Sequence, residues 1–277
     1  GMAFPSPDGR NIGYLSQAED GRSLWIRPIG SQTSQKLAGT DNTIAAAWSP
    51  DSRYLAVFVD GKIKKIDVAS GAIQILADFA GAPIGFSWNR DGVILLGRGR
   101  QNNTAYNDIV RISATGGVSA GGGEMKPVMA LDAAKQETVH AVPEFLPDGN
   151  HFLYAVVSKV PENTGIYVGS LDGKPSVRLM PLPSPLNGLG YVPQGYILIS
   201  SNGHTAQRFD PNSLKLEGEP IPLAATLENG GFTVSETGLL FYRPSRNALP
   251  TRELTWFDRT GKPLDGASSI HPVSQVS

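Results

Sequence analysis

Cysteine is absent from the 277 residues, so neither a disulfide nor a thiolate-ligated metal can form. That absence leaves the compartment open, since exported bacterial proteins often lack cysteine as well. An excess charge of one sign is also missing. The 24 Lys plus Arg stand against 25 Asp plus Glu, a net charge of −1, so nucleic acid and anionic membranes have no bulk electrostatic attraction to the chain. No apolar run approaches the roughly 18 residues that span a bilayer, and no signal-peptide pattern stands at the start. A water-soluble piece with no membrane contact of its own is expected. Several catalytic signatures are missing as well: there is no His-Glu-x-x-His, and no kinase catalytic loop, Asp-Phe-Gly or Gly-rich loop with its strand lysine. Gly121-Gly122-Gly123 lacks the Lys-Ser or Lys-Thr of a phosphate loop. The four histidines, His140, His151, His204 and His271, are scattered without ligand spacing.

What the chain does have is turns. With 32 Gly and 21 Pro it is too often interrupted for long helices, while 40% hydrophobic residues suffice for a sizeable core. The turns repeat. Trp48-Ser49-Pro50-Asp51-Ser52-Arg53-Tyr54-Leu55-Ala56-Val57-Phe58 reads as strand, type I turn and strand: an acceptor side chain, φ preset by Pro, an Asx position, then a residue tolerant of positive φ. Related units place Gly9, Gly92, Gly149, Gly195 and Gly238 at the position of Ser52, with successive spacings of 43, 40, 57, 46 and 43 residues. That period matches four-stranded propeller blades. In Tyr54 to Phe58 both alternating faces are apolar, so the strand needs cover on both sides, which neighbouring blades supply.

The expected fold is therefore an all-β, six-bladed β-propeller of four-stranded antiparallel blades, or else part of a larger propeller or array cut at both ends. It forms a single domain over 1–277, with blades near 1–38, 39–77, 78–120, 140–181, 187–224 and 230–266. Residues 118–142 read as an inserted loop, helix-compatible around Leu131–Glu137. Residues 267–277 read as a ring-closing strand or the start of a further repeat.

The ordered set Leu24-Trp25-Ile26-Arg27-Pro28, Trp48 to Arg53, Gly61 to Asp67, Trp88 to Leu95, Phe145 to Gly149, Gly165 to Asp172 and Leu254 to Lys262 resembles the TolB-like, WD-type propeller half of bacterial serine/threonine protein kinases, abundant in acidobacteria. The resemblance covers essentially the whole chain. It implies a parent with a cytoplasmic kinase domain, one transmembrane helix and an extracytoplasmic sensor propeller. Its partner would be an unknown protein, peptide or envelope-derived ligand. Two departures stand out. Val139-His140 occupies the place of a Ser-His, and the turns at Gln194-Gly195 and Glu236-Thr237-Gly238 are degraded, which bears on a shared ligand rather than on the fold.

Propeller ligands usually enter the funnel on the face built by the loops between strands two and three and between strand four and the next strand one. The long third-repeat loops fall there, so Arg98, Arg100, Lys126 and His140 are the candidate binding residues, with Asp132 and Glu137 nearby. Together they would suit a peptide, a glycan or a carboxylate. The plainer alternative is that the arginines are solvated loop charges and His140 bonds loop backbone. No metal, cofactor or catalytic residue is expected. The competing class is a six-bladed calcium lactonase type of enzyme, for which Asn42, Glu144, Asn187 and Asn229 lie near channel-facing strand starts. Only one of these is acidic, and a hard divalent cation demands more negative charge than that. Further alternatives are a free periplasmic TolB-like scaffold or a cytoplasmic location.

Overall fold

The computed structural model describes residues 3–18, 21–101, 104–116, 124–183, 186–201, 203–223, 232–238 and 240–242. The recurring turns nucleate its sheets. In the first, the Ser6 hydroxyl donates to Asp8 Oδ1 at 2.5 Å and accepts the Asn11 N–H at 2.9 Å, while Asp8 Oδ1 also accepts the Arg10 N–H at 3.0 Å. Ser49 and Asp51 repeat this with Arg53 and Tyr54. In the third turn Asn89 takes the serine's place, and its Oδ1 accepts the Asp91 and Val93 N–H groups. Ser52 adopts φ 59°, a conformation that costs an L-residue roughly 1–2 kcal/mol. Its hydroxyl accepts the Asp8 N–H of the preceding turn at 3.0 Å, a bond glycine could not make. Asn89 Nδ2 similarly reaches Gly149 O at 2.6 Å, so turns of adjacent blades are tied together.

Each turn joins the first two strands of a four-stranded antiparallel sheet laid down in chain order. The first sheet is β1 (Ala3–Pro5), β2 (Asn11–Ala18), β3 (Gly21–Pro28) and β4 (Gln35–Lys36). The second is β5 (Ala45–Trp48), β6 (Tyr54–Val59), β7 (Lys62–Asp67) and β8 (Ile73–Asp78). The third is β9 (Ala82–Trp88), β10 (Val93–Gly99), β11 (Asp108–Ser113) and β12 (Lys126–Pro127). The fourth is β13 (Glu137–Phe145), β14 (His151–Ser158), β15 (Gly165–Ser170) and β16 (Val177–Met180), and the fifth is β17 (Gly188–Val192), β18 (Tyr196–Ser200), β19 (His204–Asp210) and β20 (Lys215–Leu223). A sixth, two-stranded sheet pairs β21 (Phe232–Val234) with β22 (Leu240–Tyr242). Five four-stranded blades are thus described where six were expected. The third and fourth strands expected for the sixth, including Leu254 to Lys262, lie outside the described residues.

The core sits between sheets rather than within a single layer, and the double-faced apolar pattern explains it. Leu55 and Val57 of β6 pack with Leu24 and Ile26 of the first sheet, whereas Ala56 and Phe58 pack with Ile94 and Leu96 of the third. On the same logic Phe152 and Tyr154 meet Leu95 and Ile109, while Leu153 turns to Ile197 and Phe209. At the ends of the chain, β21 packs against both β17 and β1, and Thr233 Oγ1 donates to Ala3 O at 2.8 Å.

The stretch 118–142, expected as an inserted loop, contains strand. β12 completes the third blade by pairing Lys126 with Arg111 and Pro127 with Val110, and β13 begins at Glu137. Leu131–Glu137 forms a tight turn instead of a helix. Asp132 Oδ1 takes the Ala134 and Lys135 N–H groups, and Gln136 sits at φ 52°, a local alternative that outcompetes a helix this short.

Candidate functional site

Three of the four loop-face candidates are engaged by the scaffold. Arg98, near the end of β10, makes a bidentate pair with Asp108 at the start of β11, Nε to Oδ1 at 2.7 Å and Nη2 to Oδ2 at 2.6 Å, and lies 4.7 Å over the Tyr106 ring. The side chains of this pair are only 17% and 20% exposed. His140 is buried on β13. Its Nε2 lies 2.9 Å from Glu137 Oε2, which also accepts the Asp132 N–H, and its ring meets Tyr154 edge-on at 5.2 Å. Its backbone N–H donates to Asn107 O at 2.9 Å, so Arg98 and His140 meet at one seam between the third and fourth blades. Lys126 is exposed on the outermost strand of its blade, 3.2 Å from Glu124, and does not join them. Arg100 is exposed just beyond β10.

The lactonase-type set is dispersed. Asn42 is exposed at φ 64°, Asn187 donates through Nδ2 to Ser201 O at 3.2 Å, and Asn229 lies outside the described residues. Glu144 stands at the penultimate position of β13 rather than near its start, because β13 reaches back to Glu137. Among the described residues, no group of three or more His, Asp or Glu is placed to hold a metal ion.

Glu144 is nevertheless the unusual residue of the first strands of the blades. β13 breaks register with β14 between Ala141 and Glu144, so Val142 and Pro143 are skipped by the ladder. Val142 takes φ 50°, a conformation a β-branched residue rarely adopts. The neighbouring inner strand breaks too: β9 slips against β10 between Leu96 and Arg98, with Gly85 at φ 102°. The two irregularities interlock, and a Cβ on Gly85 would stand 2.5 Å from Val142 Cα. Immediately after this strained contact, Ser87 Oγ accepts the Phe145 N–H at 2.9 Å and donates to the Glu144 carboxyl. Leu146 N–H points to His151 O on β14, so by strand alternation the Phe145 N–H points the other way, to the channel-side edge. Desolvation, only partly offset by Ser87, pushes the Glu144 carboxyl up from 4.5 to about 8.

Sequence reasoning had named Glu144 but not this setting. The available signal was Pro143 inside an otherwise regular strand pattern, which marks a bulge. Elsewhere, a surface groove of about 340 Å³ on the fifth blade is lined by Tyr191, Gln194, Arg208 and Glu217, and there Arg208 Nε is held by Glu217 at 2.9 Å.

The chain matches no protein-family model and no curated protein. Solved structures do match. TolB from Acinetobacter baumannii superposes with a TM-score of 0.68 at 16% identity, over 94% of this chain and 64% of that one. The fold is that of a TolB-like β-propeller. A putative TolB from Agrobacterium tumefaciens gives 0.63 at 14% identity, over 98% of this chain and 91% of that one. An oligogalacturonate lyase in complex with manganese gives 0.63 at 13% identity, over 95% and 75%. This TolB-like propeller thus spans under two thirds of the Acinetobacter protein, and at these identities the likeness concerns fold alone.

Proposed function

We propose that this propeller is a non-catalytic binding module, the extracytoplasmic sensor or interaction portion of a membrane-anchored serine/threonine kinase, taking a protein, peptide or envelope-derived ligand through its central channel. The observation that carries this reading is the make-up of the inner strands. β1, β5, β9, β17 and β21 contain no Asp, Glu, His, Lys or Arg, and β13 supplies Glu144 besides the mutually bonded Glu137 and His140. Among the described residues, the polar side-chain partner of Glu144 is Ser87. A wall of small and apolar side chains and exposed strand edges suits an extended ligand. We also read β21 and β22 as the inner half of a sixth blade closing the ring, supported by the Thr233 to Ala3 bond.

The competing reading is a metal-dependent lyase or lactonase, favoured by the lyase among the structural neighbours. Assaying the purified chain on oligogalacturonate and on lactones, with manganese and with calcium, separates the two. The expected result is no turnover, and metal-dependent turnover would overturn the binding-module reading. Reading the coding sequence on either side tests the kinase: a His-Arg-Asp catalytic loop and one apolar helix upstream are expected, and a free signal-peptide-bearing propeller would refute the link.

A further inference from the structure

On the first strand of its blade, Glu144 is an anion-forming group with no cation beside it among the described residues. The titratable groups on the elements packed against β13 are Arg98 on β10, Asp108 and Arg111 on β11, His151 and Tyr154 on β14, and Tyr191 on β17. Arg98 is held by Asp108, His151 by Asp148, and the Tyr154 hydroxyl by Ser176. None of them contributes to the state of Glu144, which is governed by desolvation and Ser87 alone. The backbone beside it is rich in acceptors. Pro143 brings a carbonyl and no N–H, both Val142 and Pro143 are skipped by the ladder, and the Phe145 N–H is already taken by Ser87. This acceptor-rich corner is maintained at the expense of a left-handed valine locked against Gly85, the kind of strain that persists where surrounding structure enforces it.

We propose that Glu144, with Ser87 and the bulged edge of β13, forms a subsite for a single primary ammonium group, such as a lysine side chain or a free N-terminus presented by a peptide entering the channel. An ammonium brings one positive charge and three donors, which matches one carboxylate flanked by backbone carbonyls. A hard divalent cation asks for six or more oxygen ligands and more negative charge than one carboxyl carries. A carboxylate ligand would meet no cation here. Binding completes the ion pair and expels the proton that the apolar surroundings hold on Glu144 near neutral pH.

This subsite rests on the reading of the channel as a binding surface. The test uses the full chain, with n-butylammonium chloride as probe and sodium butyrate, tetramethylammonium chloride, calcium chloride and manganese chloride as comparisons. Binding is followed by thermal shift and by the ¹³C resonances of glutamate-labelled carboxyls. The structure predicts that n-butylammonium raises the melting temperature and moves one carboxyl resonance. Its affinity should increase about tenfold per pH unit up to about pH 8, and both effects should vanish in Glu144→Gln, which keeps the side-chain shape. An equal response in Glu144→Gln, a response to butyrate or tetramethylammonium as large as to butylammonium, a preferred response to either metal, or no response at all would overturn the proposal. Failure of the probe removes the subsite alone, whereas lyase or lactone turnover would remove the binding-module reading beneath it.

Discussion

Replacing Glu144 with glutamine should stabilise this protein, and by an amount that grows with pH. The folded carboxyl is raised to about 8 from an ordinary 4.5, so between those values the native state holds a proton that the unfolded chain has released. Stability of the wild type is therefore greatest below about pH 4.5 as far as this group is concerned, and declines as the pH climbs to about 8. At about 1.4 kcal/mol per pH unit, the full interval has a ceiling of roughly 5 kcal/mol. Glu144 is half-buried, so solvent screening brings the expected penalty to about 2–3 kcal/mol. Glutamine cannot ionise, yet it still accepts the Ser87 hydroxyl bond. Urea unfolding followed by tryptophan fluorescence at pH 5, 6, 7 and 8 should show the two proteins close together at pH 5 and the variant ahead by about 2–3 kcal/mol at pH 8, or about 5–10 °C in melting temperature. A difference that stays flat across pH, or a variant less stable throughout, would refute the claim that the carboxyl is desolvated without a counter-ion.

Other parts of the framework make separate predictions. Gly85→Ala places a Cβ 2.5 Å from Val142 Cα at φ 102° and should cost about 2–4 kcal/mol in chemical denaturation, whereas Gly61→Ala, at φ 72° in open space, should cost only about 1 kcal/mol. Arg98→Ala leaves a largely covered Asp108 without its guanidinium and should lose roughly 1–3 kcal/mol, partly recovered in the double variant with Asp108→Ala, while Arg100→Ala should leave the melting temperature unmoved. Millimolar calcium or manganese should not shift the melting temperature, and a rise of several degrees would restore the metal-enzyme alternative.

Much of the architecture was legible because its causes are local. Ser-Pro-Asp-Gly closes its own turn through Ser6 and Asp8, or Ser49 and Asp51, whatever lies around it. The blade period and the two dry faces of Tyr54 to Phe58 likewise needed no partner to be read. Where the reading was incomplete, a partner mattered. Arg98 looked like a free loop cation, but extending β10 to Gly99 lays it directly opposite Asp108. His140 looked like a loop histidine, but β13 starts early enough to bury it against Glu137 three residues before.

By itself, then, the sequence determined the repeating antiparallel blade, since turn chemistry and period-two patterning act over a few residues. It also determined the neutral overall charge and the near-absence of ionisable side chains from the inner strands. Only the tertiary structure decided which charges are spent on each other and that Glu144 is desolvated. The positive φ of Val142, the tight seat of Gly85 and the raised carboxyl of Glu144 all arise from two bulges pressed together across a blade boundary, in strands more than 50 residues apart along the chain.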